Sequence, residues 1–138
     1  MPVTKLPEKW SEDFNTGVKF IDEQHQYYFS VVKDLESAIN EGICEEKISE
    51  IFFRIVHYIE HYTIQEEIYF KDTGFEKLDS HKQAHKQFLN GIIKFKDEYQ
   101  TKSKNVCLNL YEFLTNWFED HILGLDVITI NQLRKAGI

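Results

Sequence analysis

The stretch from residue 81 to residue 99, HKQAHKQFLNGIIKFKDEY, predicts the fold of this chain most directly. Its apolar, aromatic and histidine side chains recur in alternating steps of four and three, which is the period of one buried helix face. The members of this stripe are His81, His85, Phe88, Ile92, Phe95 and Tyr99. The inward face of this helix therefore carries two imidazoles beside its apolar side chains.

Three further stripes with the same period lie on either side of it. The first is Val18, Ile21, His25, Tyr28, Val32, Leu35 and Ile39. The second is Ile48, Ile51, Ile55, Tyr58, Tyr62, Gln65 and Tyr69. The last is Val106, Leu110, Leu114, Trp117, His121, Leu125 and Ile128.

Short breaks separate the four stripes, at Asn40–Gly42, Thr73–Gly74 and Lys102–Asn105. Short connections make consecutive helices antiparallel neighbours, so the chain is predicted to be an all-α, up-down-up-down antiparallel four-helix bundle. We expect a single domain over residues 1–138. Within it, residues 1–17 form a non-helical N-terminal arm and residues 18–138 form the bundle.

The composition fits one compact domain and excludes several classes. The chain has 138 residues, 42% hydrophobic and 28% charged, with only 6 Gly and 2 Pro, which does not fit disorder or a collagen-like repeat. The formal net charge is -7 and no basic cluster stands out, so neither nucleic acid nor a membrane surface is an expected partner. Residues 1–10 lack the apolar core of a signal peptide, which favours a cytoplasmic location. Cys44 and Cys107 are far apart without a CxxC motif and are expected to be buried thiols.

Five of the six histidines lie on or beside the inward stripes: His25, His61, His81, His85 and His121. A single buried histidine is usually a hydrogen-bonded core residue, but leaving five imidazoles unsatisfied would cost about 1 to 3 kcal/mol each. Metal ions would satisfy several of them at once. Asp126, five residues after His121, adds a carboxylate to this nitrogen-rich set, which suits iron and also accepts zinc or manganese.

In order and spacing, these residues resemble the hemerythrin family, and most closely its single-domain bacterial and archaeal members, the bacteriohemerythrins. The resemblance covers the whole chain. Its motifs are Trp10, Gly17-Val18 and Ile21-Asp22 with His25; His61-Tyr62; the pair His81 and His85; and Trp117 with His121-Ile122 and Asp126.

The resemblance implies a cofactor of two non-haem iron ions (Fe2+/Fe3+), joined by an oxo or hydroxo bridge, that binds dioxygen reversibly. By the family pattern, one iron is held by His81, His85 and His121. The other is held by His25 and His61, and Gln65 and Asp126 stand at the bridging positions. The residues expected to line the oxygen pocket are Tyr62, Trp117, Phe118 and Ile122.

Gln65 departs from this pattern, because the family has a glutamate at the position four residues after the second-helix histidine. An amide bridges two metals less well than a carboxylate, so we expect weaker oxygen binding, a higher reduction potential or partial loss of one metal. Glu66 is rotated by about 100° from Gln65 in a regular helix. It could take over only if the helix were distorted, for instance by a π-bulge.

Three functions follow as hypotheses. The leading one is reversible dioxygen binding for storage, delivery or sensing, by a protein that is not an enzyme. One alternative is an enzyme in which the same irons reduce peroxide, nitric oxide or oxygen. The other is a module in which zinc or a single iron stabilises the structure.

Overall fold

The computed structural model describes residues 5–72, 78–100 and 105–135. In these ranges the chain is built from four helical rods, which confirms the predicted all-α four-helix bundle. The first rod is α1 (Lys19–Asn40) and the third is α4 (Leu78–Gln100). The second runs through α2 (Cys44–His57), a π-helical segment π1 (Tyr58–Thr63) and α3 (Ile64–Asp72). The fourth runs through α5 (Val106–Trp117), a π-helical segment π2 (Phe118–Val127) and α6 (Ile128–Lys135).

The connections agree with the expected breaks where the structure describes them. Gly42 adopts a positive φ of 75° two residues after the end of α1, and Asn105 adopts a φ of 64° directly before α5. Both are left-handed conformations of the kind that ends or separates helices. The break expected at Thr73–Gly74 and most of the one at Lys102–Asn105 lie outside the described residues.

Ile128 and Gln65 are exposed, but most other members of the predicted stripes form the apolar core between the rods. Its fully buried centre is made of aliphatic side chains from the first, second and fourth rods: Val32, Leu35, Ile48, Ile55, Leu110 and Leu114. A smaller apolar cluster of Ile21, Phe70 and Ile130 closes the opposite end of the bundle. Between these two clusters the buried face becomes polar, and the histidines lie there.

The N-terminal arm packs on the bundle and contains one helical turn, a 3-10 helix at Glu12–Phe14, which the sequence did not predict. Trp10 contacts Phe29 and Phe118 edge to face, with ring centroids 5.6 and 6.2 Å apart. The Asp22 carboxylate accepts hydrogen bonds from the backbone N–H of Thr16 and of Gly17. The arm is thus tied to the first turn of α1.

The cysteines are not thiols, and that expectation was wrong. Cys44 and Cys107 form a disulfide with a Cα–Cα distance of 6.4 Å, within the usual range. Cys44 is the first residue of α2 and Cys107 the second of α5, and in an up-down-up-down bundle both helices start at the same end. The pairing therefore arises from the bundle topology, to which a spacing of 63 residues gives no clue.

Among the described residues, no helix is both long enough and apolar enough to cross a membrane.

Candidate metal centre

All four rods contribute polar side chains to one buried cluster. His25 comes from α1, Glu66 from α3, His81 and His85 from α4, and His121 and Asp126 from π2. Each of the six is no more than 5% exposed. Such a concentration of ionisable groups inside a bundle is costly unless the groups are paired with each other or with metal ions.

The π-helical segment π2 brings His121 and Asp126 onto the same face of the fourth rod. In a regular α-helix, residues five apart point about 140° away from each other. A π-helix closes with hydrogen bonds between residues five apart, so such residues point in a similar direction. The distortion over Phe118–Val127 therefore allows both side chains to reach the cluster.

The π-helical segment of the second rod, π1, changes which residue of that rod faces inward. Glu66, three residues beyond it, is 3% exposed and lies in the cluster. Gln65 is exposed, and its amide oxygen accepts a hydrogen bond of 2.8 Å from Gln24 Nε2. Gln65, expected to be a metal ligand, therefore lies outside the cluster, and a π-helical distortion of the kind considered for Glu66 precedes it.

His61 also lies outside the cluster. Its side chain is exposed, and its ring packs against that of His57 with centroids 4.5 Å apart. The structure thus brings together five of the seven expected ligands and adds Glu66. It does not bring in His61 or Gln65, whose side chains are both exposed.

The two carboxylates each present their oxygens to opposite sides of the cluster. Glu66 Oε1 lies 2.5 Å from His81 Nε2 and 3.4 Å from His85 Nε2, whereas Oε2 lies 3.5 Å from His25 Nε2. Asp126 Oδ1 lies 3.2 Å from His81 Nε2 and 3.3 Å from His121 Nε2, whereas Oδ2 lies 3.2 Å from His25 Nε2. Two carboxylates placed in this way can each bridge two metal ions.

The cluster therefore has two halves, which we name by their histidines. The three-histidine half consists of His81, His85 and His121 with Glu66 Oε1 and Asp126 Oδ1. The His25 half consists of His25 with Glu66 Oε2 and Asp126 Oδ2. Candidate ligand atoms of Glu66, His81, His85 and His121 lie within 4.8 Å of one another, and so do those of His25, Glu66 and Asp126, close enough to hold a cation in each half. Asp126 Oδ1 joins the first half through His81 and His121.

Without a metal ion, the carboxylates of the cluster favour the protonated forms of His25, His81 and His85, whose pKa values are all raised. Burial by itself lowers the pKa of His25 and of His81, but Asp126 and Glu66 outweigh it and raise each pKa to about 9. Burial dominates at His121 and lowers its pKa to about 4. For Glu66, burial opposes ionisation, yet the hydrogen bonds from His25, His81 and His85 hold the pKa of the carboxyl well below its usual range.

One observation favours a metal over protons as the natural occupant. Asp126 Oδ1 is buried and accepts no hydrogen bond from any described residue, although two imidazole nitrogens lie within 3.3 Å of it. Native proteins rarely leave a buried carboxylate oxygen in this condition. A cation between these groups would satisfy the oxygen and both nitrogens, and a nitrogen and oxygen donor set of this kind fits iron, zinc or manganese.

Aromatic rings enclose the three-histidine half. Trp117 stacks on His121, with ring centroids 3.8 Å apart, and on Phe88 at 4.3 Å. Its indole N–H donates to the hydroxyl of the buried Tyr58 at 3.3 Å. The fourth member of this wall is Phe70, whose ring centroid lies 4.5 Å from that of His81.

The other residues expected to line the oxygen pocket lie in different surroundings. Phe118 is buried and stacks parallel to Tyr28 at 6.5 Å, on the side of the N-terminal arm. Ile122 is fully buried in the main core. Tyr62 is half-buried and packs on Tyr27 at 5.2 Å.

Besides Glu66, four residues of this site were absent from the set expected from sequence. Tyr58 and Phe88 lie on the predicted stripes, where their spacing gave them no more than a place in the core, and Phe70 follows Tyr69 outside those stripes. Glu67 lies 3.0 Å from His85 Nδ1, where its Oε2 can orient the imidazole. The signal that could have found Glu67 is its position next to Glu66 in a run of acids.

The bundle and its buried cluster of imidazoles and carboxylates define a helical metal-binding protein. The hemerythrin family, described as "Hemerythrin HHE cation binding domain", matches residues 16–127, and the chain belongs to this family. A bacteriohemerythrin of Pseudomonas aeruginosa is 26% identical over 127 residues, covering 92% of this chain and 82% of that protein. A bacteriohemerythrin of Clostridium acetobutylicum is 28% identical over 121 residues, covering 85% and 94%. A myohemerythrin of Theromyzon tessulatum is 28% identical over 126 residues, covering 90% and 93%.

Proposed function

We propose that this chain is a non-haem diiron protein that binds dioxygen reversibly, in a storage, delivery or sensing role. The observation that carries the proposal is the placement of the two carboxylates. Glu66 and Asp126 each direct one oxygen to the three-histidine half and one to His25. That arrangement suits two neighbouring metal ions rather than one, and the membership of the family supports iron.

The ligand set proposed here is His25, Glu66, His81, His85, His121 and Asp126. Two iron(II) ions held by these residues would supply the electrons that reversible dioxygen binding requires. Mixed imidazole and carboxylate donors suit this metal. We assign Glu66 the bridging role first expected of Gln65, so the weakened oxygen binding expected from an amide bridge is no longer part of the proposal.

The protein around the ligands controls water and protons. Trp117, stacked on His121, and Phe70, against His81, place apolar surface beside the imidazoles. An apolar shell limits access of water and protons, and so protects a bound gas molecule from irreversible reduction. Tyr58 keeps its hydroxyl in this shell by accepting the hydrogen bond of the Trp117 indole.

The partners and location follow from simpler features. The net charge of -7 argues against nucleic acid or an anionic membrane as a partner of this chain, and dioxygen as the partner rests on the proposed diiron site. The cytoplasmic location stays a prediction, and the disulfide between Cys44 and Cys107 does not favour it, since such bonds persist mainly in oxidising compartments.

Anaerobic reconstitution tests the proposal. Metal-free protein is loaded with Fe(II), the iron per chain is counted, and the visible spectrum is recorded before and after air is admitted and again under vacuum. We expect two irons per chain and a coloured form that disappears when oxygen is removed. A colour that does not reverse would overturn reversible binding, and turnover with an added reductant would instead identify an enzyme. A colourless protein that retains a single metal would identify a structural module.

A further inference from the structure

We propose that the two halves of the metal centre have unequal affinities, so that the chain holds one ion tightly in the three-histidine half and a second, exchangeable ion in the His25 half. This inference rests on the proposed function, since it concerns the same centre. It also has a chemical consequence, because an exchangeable second ion allows two different metals to share one chain.

The donor count separates the two halves. The three-histidine half offers three imidazole nitrogens and one oxygen from each carboxylate, which makes five donor atoms. The His25 half offers one imidazole nitrogen and the other two carboxylate oxygens, which makes three. Both halves draw on the same carboxylates, Glu66 and Asp126. The difference therefore comes from the imidazoles, the stronger donors for most divalent first-row metals.

No further imidazole of the described chain is placed to correct this imbalance. His61 is exposed, and its ring packs on His57 with centroids 4.5 Å apart. Gln65 is also exposed and bonded to Gln24. Moving His61 inward would require unwinding of the π-helical segment Tyr58–Thr63, on which the inward position of Glu66 depends.

The orientation of the rings adds to the difference. In the three-histidine half, His85 Nδ1 lies 3.0 Å from Glu67 Oε2, and the ring of His121 is stacked on Trp117. In the His25 half, His25 Nδ1 is buried without a hydrogen-bond partner among the described residues. Partners of this kind orient a ligating imidazole, and their loss typically costs about 10- to 100-fold in metal affinity.

The two halves also differ in the metals they prefer. The three-histidine half is rich in nitrogen and suits zinc or iron, whereas the His25 half has two oxygens for one nitrogen and accepts manganese or iron(II) more readily. Since zinc binds most nitrogen and oxygen sites more tightly than manganese, a chain given both metals is expected to hold zinc in the first half and manganese in the second.

Titration of metal-free protein with Zn²⁺ tests the inequality. Binding is followed by calorimetry, and the ions retained after dialysis against a chelator are counted. We expect two steps whose dissociation constants differ by about tenfold or more, with one ion retained after dialysis. After a single equivalent of Zn²⁺, added Mn²⁺ should give the electron paramagnetic resonance signal of bound manganese. Two steps of equal affinity would overturn the inference.

Three variants assign the steps. His25→Ala should abolish the weaker step and leave the tighter one, and His85→Ala should weaken the tighter step. His61→Ala is the control and should leave both steps unchanged, so the loss of a step in that variant would overturn the inference. Circular dichroism checks that each variant keeps its helix content, and His25→Gln, closer in size, replaces His25→Ala if that variant fails to fold. Failure of the wild-type chain to bind any metal would overturn the proposed function itself.

Discussion

Glu66 and Gln65 are neighbours in the chain, yet only one of them reaches the metal centre. Glu66 is 3% exposed and contacts His25, His81 and His85, whereas Gln65 is exposed and bonds Gln24. A carboxylate in this position can connect two cations, which an amide does poorly. The second rod therefore contributes to the site through Glu66. The rotation of the helix directs this side chain, rather than that of Gln65, towards the histidines.

Replacing these two residues in turn should separate their roles. Glu66→Ala removes an oxygen from each half of the cluster, so we expect the metal count after loading and dialysis to fall by about one ion per chain or more. Gln65→Ala should leave the count unchanged. Elemental analysis of the loaded proteins measures both. A larger loss in Gln65→Ala than in Glu66→Ala would contradict the arrangement described above.

The raised pKa values of His25 and His81 make the metal-free protein sensitive to alkaline pH. Both rise from 6.5 to about 9 in the folded protein, so the stability they contribute is fully present below pH 6.5 and is lost as the pH rises through about 9. The pKa of the Glu66 carboxyl is lowered, so its contribution is present above 4.5, the usual value, and is lost in stronger acid.

The pKa of His121 is lowered to about 4, so this residue costs stability as the pH falls below 6.5. We therefore expect the free energy of unfolding of metal-free protein to be largest at about pH 6 and to decline by about pH 9. Urea unfolding at a series of pH values measures it. The alkaline decline should be smaller in Glu66→Ala, which lacks one of the carboxylates that hold these protons. A stability that increases from neutral to alkaline pH would be inconsistent with protonated histidines in the cluster.

The two π-helical segments determine which side chains of the second and fourth rods face each other. Tyr58–Thr63 places Glu66 inward, and Phe118–Val127 places His121 and Asp126 together. Tyr62 lies within the first segment, four positions before Glu66, and it is half-buried whereas His61 is exposed. Tyr62, rather than His61, thus occupies the position from which an additional imidazole could approach the His25 half.

Tyr62→His should therefore strengthen the binding of the second metal ion. The new imidazole would add a fourth donor to the His25 half, and we expect the affinity of the weaker Zn²⁺ step to rise by about tenfold or more. Calorimetric titration measures the change, with His61→Ala as the matched control one position earlier. An unchanged weaker step in Tyr62→His would show that position 62 does not face this half.

The N-terminal arm is attached to the bundle through Gly17. This residue has a φ of 85°, and a Cβ built there would lie 1.7 Å from Arg134 Nη1. Arg134 donates a hydrogen bond of 2.9 Å to the carbonyl of Thr16. The close approach links the arm to α6, the end of the fourth rod.

Gly17→Ala should destabilise the protein through both strain and collision. The backbone conformation alone costs a non-glycine residue about 1 to 2 kcal/mol, and displacement of Arg134 adds to it. Gly42→Ala is the control, because Gly42 has a similar φ of 75° but nothing within 4 Å of an added Cβ. We expect the loss in free energy of unfolding, measured with urea, to be larger in Gly17→Ala. Equal losses would rule out a role for Arg134.

The metal centre and the disulfide lie at opposite ends of the bundle. The metal centre uses the start of α1 and α4 and the later parts of the second and fourth rods, whereas the disulfide joins the starts of α2 and α5. The disulfide therefore restricts the unfolded chain without contacting the metal ligands.

Reduction of the disulfide should lower stability and leave metal binding unchanged. Closing a loop with a sequence separation of 63 stabilises a protein by about 4 kcal/mol in the chain-entropy treatment. We expect Cys44→Ser to lose up to about this amount of unfolding free energy and to keep the wild-type Zn²⁺ stoichiometry. Wild-type protein treated with a reductant should match the variant. A reduced metal count in Cys44→Ser would show that the two ends are coupled.

Periodicity was sufficient to predict the bundle and most of its core. The stripes with Val32, Leu35 and Leu114 became buried helix faces, because a period of three to four residues has only one way to gather apolar side chains on one side. The same reasoning placed His25, His81, His85 and His121 in the interior.

Periodicity could not predict the two π-helical segments, where the helices depart from the regular period. A rule with a constant rotation per residue places Gln65 inward and Glu66 aside, and only the π-helical segments reverse this. Their stability depends on contacts between rods, because His25 and His81 hold Glu66 in place from α1 and α4. The disulfide likewise depends on two helix starts meeting in space. Helical period is a local property of the chain, whereas the inward rotation of Glu66 and the pairing of Cys44 with Cys107 are consequences of packing between distant segments.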